Sequence, residues 1–251
     1  MSVPSDDRGL LLGDGLFETL LARAGALVAL EAHLDRMAAG CQVMGLPPLD
    51  RGEAQQLMTQ ALDVAGLTGS RAAVRLTLTA GPGGRGLERP VSLTPRMFAT
   101  ATPAPAPMGP ARLMISGVTR NAGSPASRLK TLSYLDNVLA RREALAQGAD
   151  EAVMCNGQGH LAGAAAANLF WILDGKVQTP ALSCGVLAGT VRTRVMDHVA
   201  VAEVTVGAEV LTAAEAVFIT NSLIGVRAVA RLGHRTFAPS ARVTEIAALI
   251  G

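Results

Sequence analysis

The alternation of apolar and polar residues predicts a chain that mixes strands and helices. Residues 71–79 alternate as a half-buried strand does, and residues 16–22 and 26–30 flank a turn, as in a strand–turn–strand unit. Apolar residues spaced three and four apart predict a helix over 31–45. Many connections between strands are too short for regular βαβ units, so the pattern indicates an α+β fold.

The same pattern predicts the remaining elements. Helices are expected at 52–65, 132–147 and 190–199, and strands at 92–100, 112–119, 151–155, 168–173, 176–178, 201–210 and 215–220. The glycine-rich segment 81–87 is expected to form a loop.

A proline-rich segment divides the chain. Residues 102–110, TPAPAPMGP, contain four prolines, which favour an extended, semi-rigid connector. We therefore expect a small N-terminal α/β lobe over 1–105, a connector over 106–111 and a larger lobe over 112–251.

Composition and charge narrow the classes of function. The formal net charge is +2, with both signs spread along the chain, and only one Trp and one Tyr are present. A nucleic-acid partner is therefore not expected. The three cysteines show no metal-ligand spacing, so neither a disulfide framework nor a zinc site is expected. No signal peptide or membrane-spanning segment is recognisable, and a reducing cytoplasm is the expected location.

The lysines stand out among the basic residues. The chain has 22 basic residues but only two lysines, Lys130 and Lys176. Arginine stays protonated at working pH, whereas a lysine can lose its proton and act as a nucleophile or base. Lys176 follows Asp174-Gly175, a pair typical of a hairpin turn, so Lys130 is the candidate for chemistry.

Four separated segments resemble the class IV aminotransferase family, which includes aminodeoxychorismate lyase. They are GDGLFETLLA at 13–22 with HLDRM at 33–37, SRLKTLSYLDNVLARREAL at 127–145 with GADEAVMCNGQGHL at 148–161, AANLFW at 166–171 with GVLAGTVR at 185–192, and FITNSLIGV at 218–226. They follow the family's order along nearly the whole chain.

This resemblance implies a two-lobed fold-type IV enzyme with a β-rich, pseudo-barrel C-terminal lobe. It also implies pyridoxal 5'-phosphate (PLP) as cofactor between the lobes, and a homodimer in which each site lies near the partner chain. No membrane partner is implied.

By position in these segments, Lys130 matches the family's Schiff-base lysine. Arg36 matches an arginine that grips the cofactor phosphate, which would suit a bidentate fork. Thr190 and Val191 match a pair at a helix start whose backbone N–H groups face the same phosphate. Ser222 matches a residue whose hydroxyl binds the phosphate, and Leu187 matches an apolar residue that packs on the pyridine ring. Tyr134 matches more loosely a residue near the cofactor's phenolic oxygen.

One position departs from the family pattern. Most members carry a glutamate five residues before the asparagine of the NLF segment, where it keeps the pyridine nitrogen protonated. Here that position is Gly163, and no acid occupies 157–173. The loss is expected to weaken chemistry that depends on electron withdrawal by the cofactor.

The resemblance favours the lyase branch of the family. The loop GPGGRGL at 81–87 resembles that branch, with Arg85 as an anchor for a substrate carboxylate, although a plain turn with a solvated arginine is an alternative. The expected reaction converts 4-amino-4-deoxychorismate to 4-aminobenzoate and pyruvate, in the folate pathway. The alternatives are a D-amino-acid or branched-chain-type aminotransferase, and a PLP-binding protein with little turnover because of Gly163.

Overall fold

The computed structural model describes residues 3–83 and 86–250, and its contacts group the chain into two units. The first unit comprises Met1–Ala106 together with Leu129–Ser133, and the second comprises Pro107–Arg128 and Tyr134–Gly251. The chain thus returns to the first unit for five residues. A single boundary drawn along the sequence cannot represent this return. Lys130 lies in this returning segment.

Both units contain strands and helices. The strands are β1 (Gly15–Arg23), β2 (Ala26–Leu27), β3 (Arg71–Thr79), β4 (Arg96–Pro103), β5 (Ala111–Ile115), β6 (Glu151–Cys155), β7 (Leu161–Ala164), β8 (Asn168–Leu173), β9 (Lys176–Pro180), β10 (Val201–Val204), β11 (Ala216–Asn221), β12 (Gly225–Leu232) and β13 (Arg235–Thr236). The helices are α1 (Arg8–Leu12), α2 (Leu30–Met44), α3 (Arg51–Val64), α4 (Pro125–Arg128), α5 (Leu135–Ala146), α6 (Thr190–His198), α7 (Val210–Ala213) and α8 (Ala241–Ile250). Within the described part of the chain, no helix combines the length and apolar character needed to cross a membrane.

The first unit is an antiparallel sheet packed against two helices. Its strand order is β2-β1-β3-β4, and β1 pairs with β3 along its whole length. The side chains of Leu20 and Leu76 from the sheet join Leu34 of α2 and Met58 of α3 in one buried cluster. This burial is the main stabilising contribution to the unit.

Two predicted strands in this unit have different limits. Ala29 adopts a left-handed conformation with φ of 53° and α2 begins at Leu30, so the strand predicted over 26–30 ends at Leu27. The strand predicted near 92–100 lies at Arg96–Pro103 and extends into the start of the proline-rich segment. Proline is tolerated there because β4 is an edge strand of the sheet.

The second unit contains a nine-stranded mixed sheet. Its order is β10-β9-β8-β11-β12-β5-β6-β7, with β13 paired to β12. Parallel pairing of β5 with β6 and of β9 with β10 accompanies antiparallel pairing of β8 with β9 and β11. The fully buried Phe170, Trp171 and Phe218 fill its centre. The predicted α+β class is therefore confirmed.

Candidate functional site

The segment that carries Lys130 forms part of the edge of the first unit's sheet. The Phe17 N–H donates to the Lys130 carbonyl at 2.9 Å, and the Leu132 N–H donates to the Gly15 carbonyl at 3.0 Å. The Lys130 Nζ lies 4.2 Å from the centroid of the Phe17 ring. A cation over an aromatic face is attracted to it. The backbone and the amine of Lys130 are thus both held by β1.

Arg36 lies in a buried ionic cluster. Its Nε donates to Glu18 Oε1 at 2.8 Å and its Nη2 donates to Glu18 Oε2 at 2.6 Å. His33, one helical turn earlier on α2, places its Nδ1 2.6 Å from the same Oε2. The Nε and Nη2 edge of the Arg36 guanidinium therefore faces Glu18, whereas the resemblance assigns Arg36 to the cofactor phosphate.

Glu18 is ionised in this cluster. Only 1% of Glu18 and 1% of His33 is exposed. Burial alone would raise the pKa of Glu18, but the hydrogen bonds from Arg36 and His33 outweigh it and hold the pKa below its usual value. The carboxylate consequently fixes the orientation of the Arg36 guanidinium.

In the second unit, a helix N-terminus suits an anion. Gly189 is the N-cap of α6, and as a glycine it has no side chain with which to cap the helix. Thr190 and Val191 form its first turn, where backbone N–H groups point outward along a positive dipole end. The structure thus brings Thr190 and Val191 to the kind of helix start that the resemblance implies.

Asn168 holds the loop that leads into this helix. Its Nδ2 donates to the Leu187 carbonyl at 2.8 Å. A Cβ on Gly189 would lie 2.0 Å from the Asn168 Oδ1, so only glycine fits there. Leu187 is half-buried. Asn168 therefore positions both Leu187 and the start of α6.

The turn that contains Ser222 lies at the same end of the sheet. Asn168 pairs with Thr220 across β8 and β11, and Ser222 follows two residues later. The Asn221 Nδ2 donates to the Ala166 carbonyl at 2.9 Å, and its Oδ1 accepts from Leu223 and Ile224. Leu187, the α6 start and Ser222 are thus gathered around the beginning of β8.

Gly163 is tied to this end of the sheet as well. It lies in β7, and the next residue's N–H donates to the Ala167 carbonyl at 2.8 Å, beside Asn168. Gly163 is buried and has φ of 100°. A Cβ would meet only the Ala167 carbonyl oxygen, at 3.4 Å. The backbone conformation, rather than a lack of space, opposes a side chain at this position.

Two further predicted residues have a simpler placement. Tyr134 is half-buried and is the N-cap residue of α5. Arg85 lies outside the described residues. Beyond it, the loop is pinned by Arg8, which donates to the carbonyls of Leu87 and Glu88 at 2.9 Å each.

Sequence reasoning missed the residues that position the others. Asn168 belongs to a quoted segment, AANLFW, but its bond to Leu187 links residues nineteen apart in sequence. Glu18 belongs to GDGLFETLLA, and a glutamate at an otherwise apolar strand position was the available signal. Each is identifiable as polar in an apolar context, but its partner is set by the tertiary fold.

Comparisons with known proteins place this arrangement among class IV aminotransferases. The profile of the family described as amino-transferase class IV matches residues 15–232. An aminodeoxychorismate lyase of Vibrio harveyi is 33% identical over 239 residues, which cover 89% of this chain and 85% of that protein. A protein of Methanocaldococcus jannaschii assigned as a branched-chain-amino-acid aminotransferase is 32% identical over 74% of this chain. The chain spans 65% of that relative, slightly under two thirds of its length.

Solved structures show the same fold. A 4-amino-4-deoxychorismate lyase from Pseudomonas aeruginosa superposes with a TM-score of 0.87 and 29% identity, covering 98% of this chain and 93% of that one. A fold IV transaminase from Curtobacterium pusillum superposes with a TM-score of 0.85 and 26% identity, covering 100% and 91% respectively. The expected fold-type IV architecture is thus confirmed.

Proposed function

The chain belongs to the class IV aminotransferase family, and on that premise we propose that it is a cytoplasmic, PLP-dependent aminodeoxychorismate lyase of folate synthesis. The family makes it an enzyme of the lyase or aminotransferase type. The observation that best supports a phosphate-bearing cofactor is the start of α6 after its Gly189 N-cap. Asn168 fixes this helix start, and Leu187 and the Ser222 turn lie near it. The match over 85% of the Vibrio lyase supports the reaction.

The residues present fit PLP. The N–H groups of Thr190 and Val191 would receive its phosphate together with the Ser222 hydroxyl, and Leu187 would pack on its ring. Arg36, oriented by Glu18, would add positive charge. When bound, PLP withdraws electrons from the carbon that bears the substrate's amino group.

Lys130 would hold the cofactor through Nζ and would move a proton in the reaction. An unprotonated lysine amine is both a nucleophile and a base, so Nζ would take the proton from the ring carbon that bears the substrate's amino group. The Phe17 ring against Nζ limits the approach of water to the amine. The ring carbon–oxygen bond to the enolpyruvyl group would then break as the ring becomes aromatic, and the proton on Nζ would pass to the leaving group, giving 4-aminobenzoate and pyruvate.

Gly163 favours elimination over transamination. Transamination must return a proton to a different carbon while the cofactor holds the charge, which requires strong electron withdrawal. Elimination of pyruvate is driven by formation of an aromatic ring, so it tolerates a weaker withdrawal. A chain without the glutamate at 163 is therefore better suited to the lyase reaction.

The test is a direct assay with aminodeoxychorismate, following the fluorescence of 4-aminobenzoate. We expect product from the PLP-loaded enzyme and from Lys176→Arg, but none above background from Lys130→Ala. Lys176 is the matched control because it is the chain's other lysine and lies on the exposed end of β9. PLP-loaded enzyme that forms no 4-aminobenzoate would exclude the lyase.

An aminotransferase is the second candidate, favoured by the similarity to the Methanocaldococcus protein. Incubation with D-alanine or a branched-chain amino acid plus 2-oxoglutarate tests it, with the new amino acid as readout. Turnover in this assay without 4-aminobenzoate formation would assign the chain to the aminotransferases. Retained PLP with turnover in neither assay would indicate the PLP-binding protein that Gly163 allows.

We further propose that the chain forms a homodimer, as the family resemblance implies. Helix α5 supports this, because Leu135, Val138, Leu139 and Leu145 are exposed on it while Ala140 and Ala144 are buried. Leucines and valines at helical spacing on one exposed face are typical of a surface that another protein covers. A second copy of the chain is the proposed partner.

A further inference from the structure

Arg120 is a buried cation without a carboxylate partner in the described residues. It is 9% exposed, and its Nε donates to the Gly185 carbonyl at 2.6 Å while its Nη2 donates to the Ser127 carbonyl at 2.7 Å. No acceptor within residues 3–83 and 86–250 bonds its Nη1. Arginines are rarely buried unless they are paired, and the two carbonyl acceptors carry no full negative charge, so this guanidinium would suit an anionic ligand.

Arg120 is one of the residues that line a cleft in the second unit. The cleft has a volume of about 530 Å³. This volume is within the usual range for small-molecule sites, roughly 300–1,000 Å³. None of the described residues that line it is acidic, and Asn121, Gln158 and Ser183 contribute polar side chains to its walls. A cleft with one cation and several neutral donors favours an anion.

The cleft is built on fixed backbone. The Asn156 Oδ1 accepts from the N–H groups of Gln158 and His160 at 3.0 Å each, and the Asn121 Oδ1 accepts from Gly123 at 3.1 Å. Arg120 itself bonds through its N–H to the Cys155 carbonyl at 2.8 Å. The backbone of the cleft and the Arg120 guanidinium are therefore held before a ligand arrives, which lowers the entropic cost of binding.

The charges near Arg120 are compatible with this role. Burial lowers the pKa of Arg120, and the nearby Tyr134 and Asp136 partly oppose that effect. Asp136 makes no ion pair with Arg120 in the described residues. The positive charge is thus left incompletely balanced in a setting of reduced dielectric, where its attraction for an anion is strong.

We propose that the cleft beside Arg120 binds a small molecule through its carboxylate group. A guanidinium nitrogen with amide and hydroxyl donors around it matches the acceptors of a planar carboxylate. The site is independent of the proposed function, because none of its residues is assigned to holding PLP.

The probe is sodium acetate, titrated into the PLP-loaded enzyme at constant ionic strength, with the Arg120 Nε–H nuclear magnetic resonance signal as readout. Acetate has no aldehyde, ketone or amino group, so it cannot form an imine at Lys130 or on the cofactor. We expect a saturable shift. In Gln158→Glu the dissociation constant should rise about tenfold or more, because a like charge then opposes the anion. Gln56→Glu, which adds the same charge on exposed α3, should leave it unchanged.

Arg120→Gln removes the cation and should abolish binding, detected as loss of acetate-induced shifts in the cleft's backbone amides. Gln158→Glu keeps the test decisive if Arg120→Gln fails to fold, because Gln158 is exposed. The proposal is overturned by a linear, non-saturating response or by equal affinity in Gln158→Glu. Tighter binding of inorganic phosphate than of acetate would contradict the proposal that the ligand binds through a carboxylate group. If the enzyme forms 4-aminobenzoate but acetate causes no saturable shift, the proposed carboxylate site is refuted and the proposed function is not.

Discussion

The proposed phosphate contacts of Arg36 and Ser222 differ in strength. A charge-assisted hydrogen bond contributes about 1.5–3 kcal/mol and a hydroxyl bond about 0.5–1.5 kcal/mol. We therefore expect Arg36→Ala to weaken PLP retention more than Ser222→Ala, measured by the cofactor's absorbance during dialysis. Equal retention by the two variants would remove Arg36 from the phosphate site.

A control is needed because Arg36 also neutralises Glu18. Removing Arg36 alone leaves the buried Glu18 carboxylate with His33 as its partner and without the bidentate cation, which costs up to roughly 3–5 kcal/mol of stability. The double variant Arg36→Ala, Glu18→Gln removes that charge. Its PLP retention separates loss of the cofactor contact from loss of folding.

Glu18 should also make stability depend on pH. Its pKa is lowered in the folded chain relative to the usual 4.5, so its contribution is present above pH 4.5 and is lost as the pH falls through the depressed folded value. The difference in unfolding free energy between the natural chain and Glu18→Gln should be about 1–3 kcal/mol at pH 7. It should shrink below pH 4.5, as measured by urea denaturation.

Glu31→Gln is the matched control for that experiment. Glu31 pairs with Arg51 on the surface, with 74% of its side chain exposed, and surface pairs contribute little. Its unfolding free energy should stay within about 0.5 kcal/mol of the natural chain. An effect of Glu18→Gln that does not change between pH 7 and pH 3 would contradict the ionised cluster.

Among the secondary-structure elements, β7 bears on the choice of reaction. Gly163→Ala should destabilise the chain by about 1–3 kcal/mol, because φ of 100° is unfavourable for a side chain although space is available. Gly157→Ala is the control, since Gly157 has open space and no such φ. Thermal unfolding measures both, and equal losses would refute the backbone argument.

Gly163→Glu then tests the electron-withdrawal argument. A carboxylate there is expected to raise the proton affinity of the pyridine nitrogen, because an anion favours the protonated form. Transamination should accelerate more than pyruvate release, measured in the two assays above. A folded, PLP-loaded variant with unchanged rates would contradict the role given to Gly163.

The elements differ in how well the sequence predicts them. The strand expected at 71–79 is β3, and the strand expected at 151–155 is β6, because clear alternation or an apolar run is bounded by turn residues. The short β7 and the half-buried β12 were not predicted, since neither has a distinct period. The helix α8 was also missed.

The same distinction holds for the candidate site. Thr190, Leu187 and Ser222 came from the resemblance, whereas their common location depends on strand pairing. That β8 lies beside β11, so that Asn168 faces Thr220, is a property of the sheet order. Likewise, the contact of Arg36 with Glu18 joins residues eighteen apart, on α2 and β1. Local patterns do not encode such partners.

For the whole molecule, the proposed dimer should depend on the exposed face of α5. Leu135 is 68% exposed and Val138 is 57% exposed. The double variant Leu135→Gln, Val138→Gln should raise the dimer dissociation constant at least about tenfold by removing apolar contact, measured by sedimentation. Leu10→Gln, Leu11→Gln on exposed α1 makes a matched comparison. A natural chain that sediments only as monomer at micromolar concentration would contradict the dimer.

The central claim is that Lys130 carries the cofactor. The most direct test reduces the PLP-loaded enzyme with borohydride, digests it and locates the pyridoxyl group by mass spectrometry. The chain has only two lysines, so the alternatives are few. We predict a yellow protein that bleaches on reduction, with the label on Lys130 and none on Lys176, and no label in Lys130→Ala. A label on Lys176, or no label after saturation with PLP, would contradict the account.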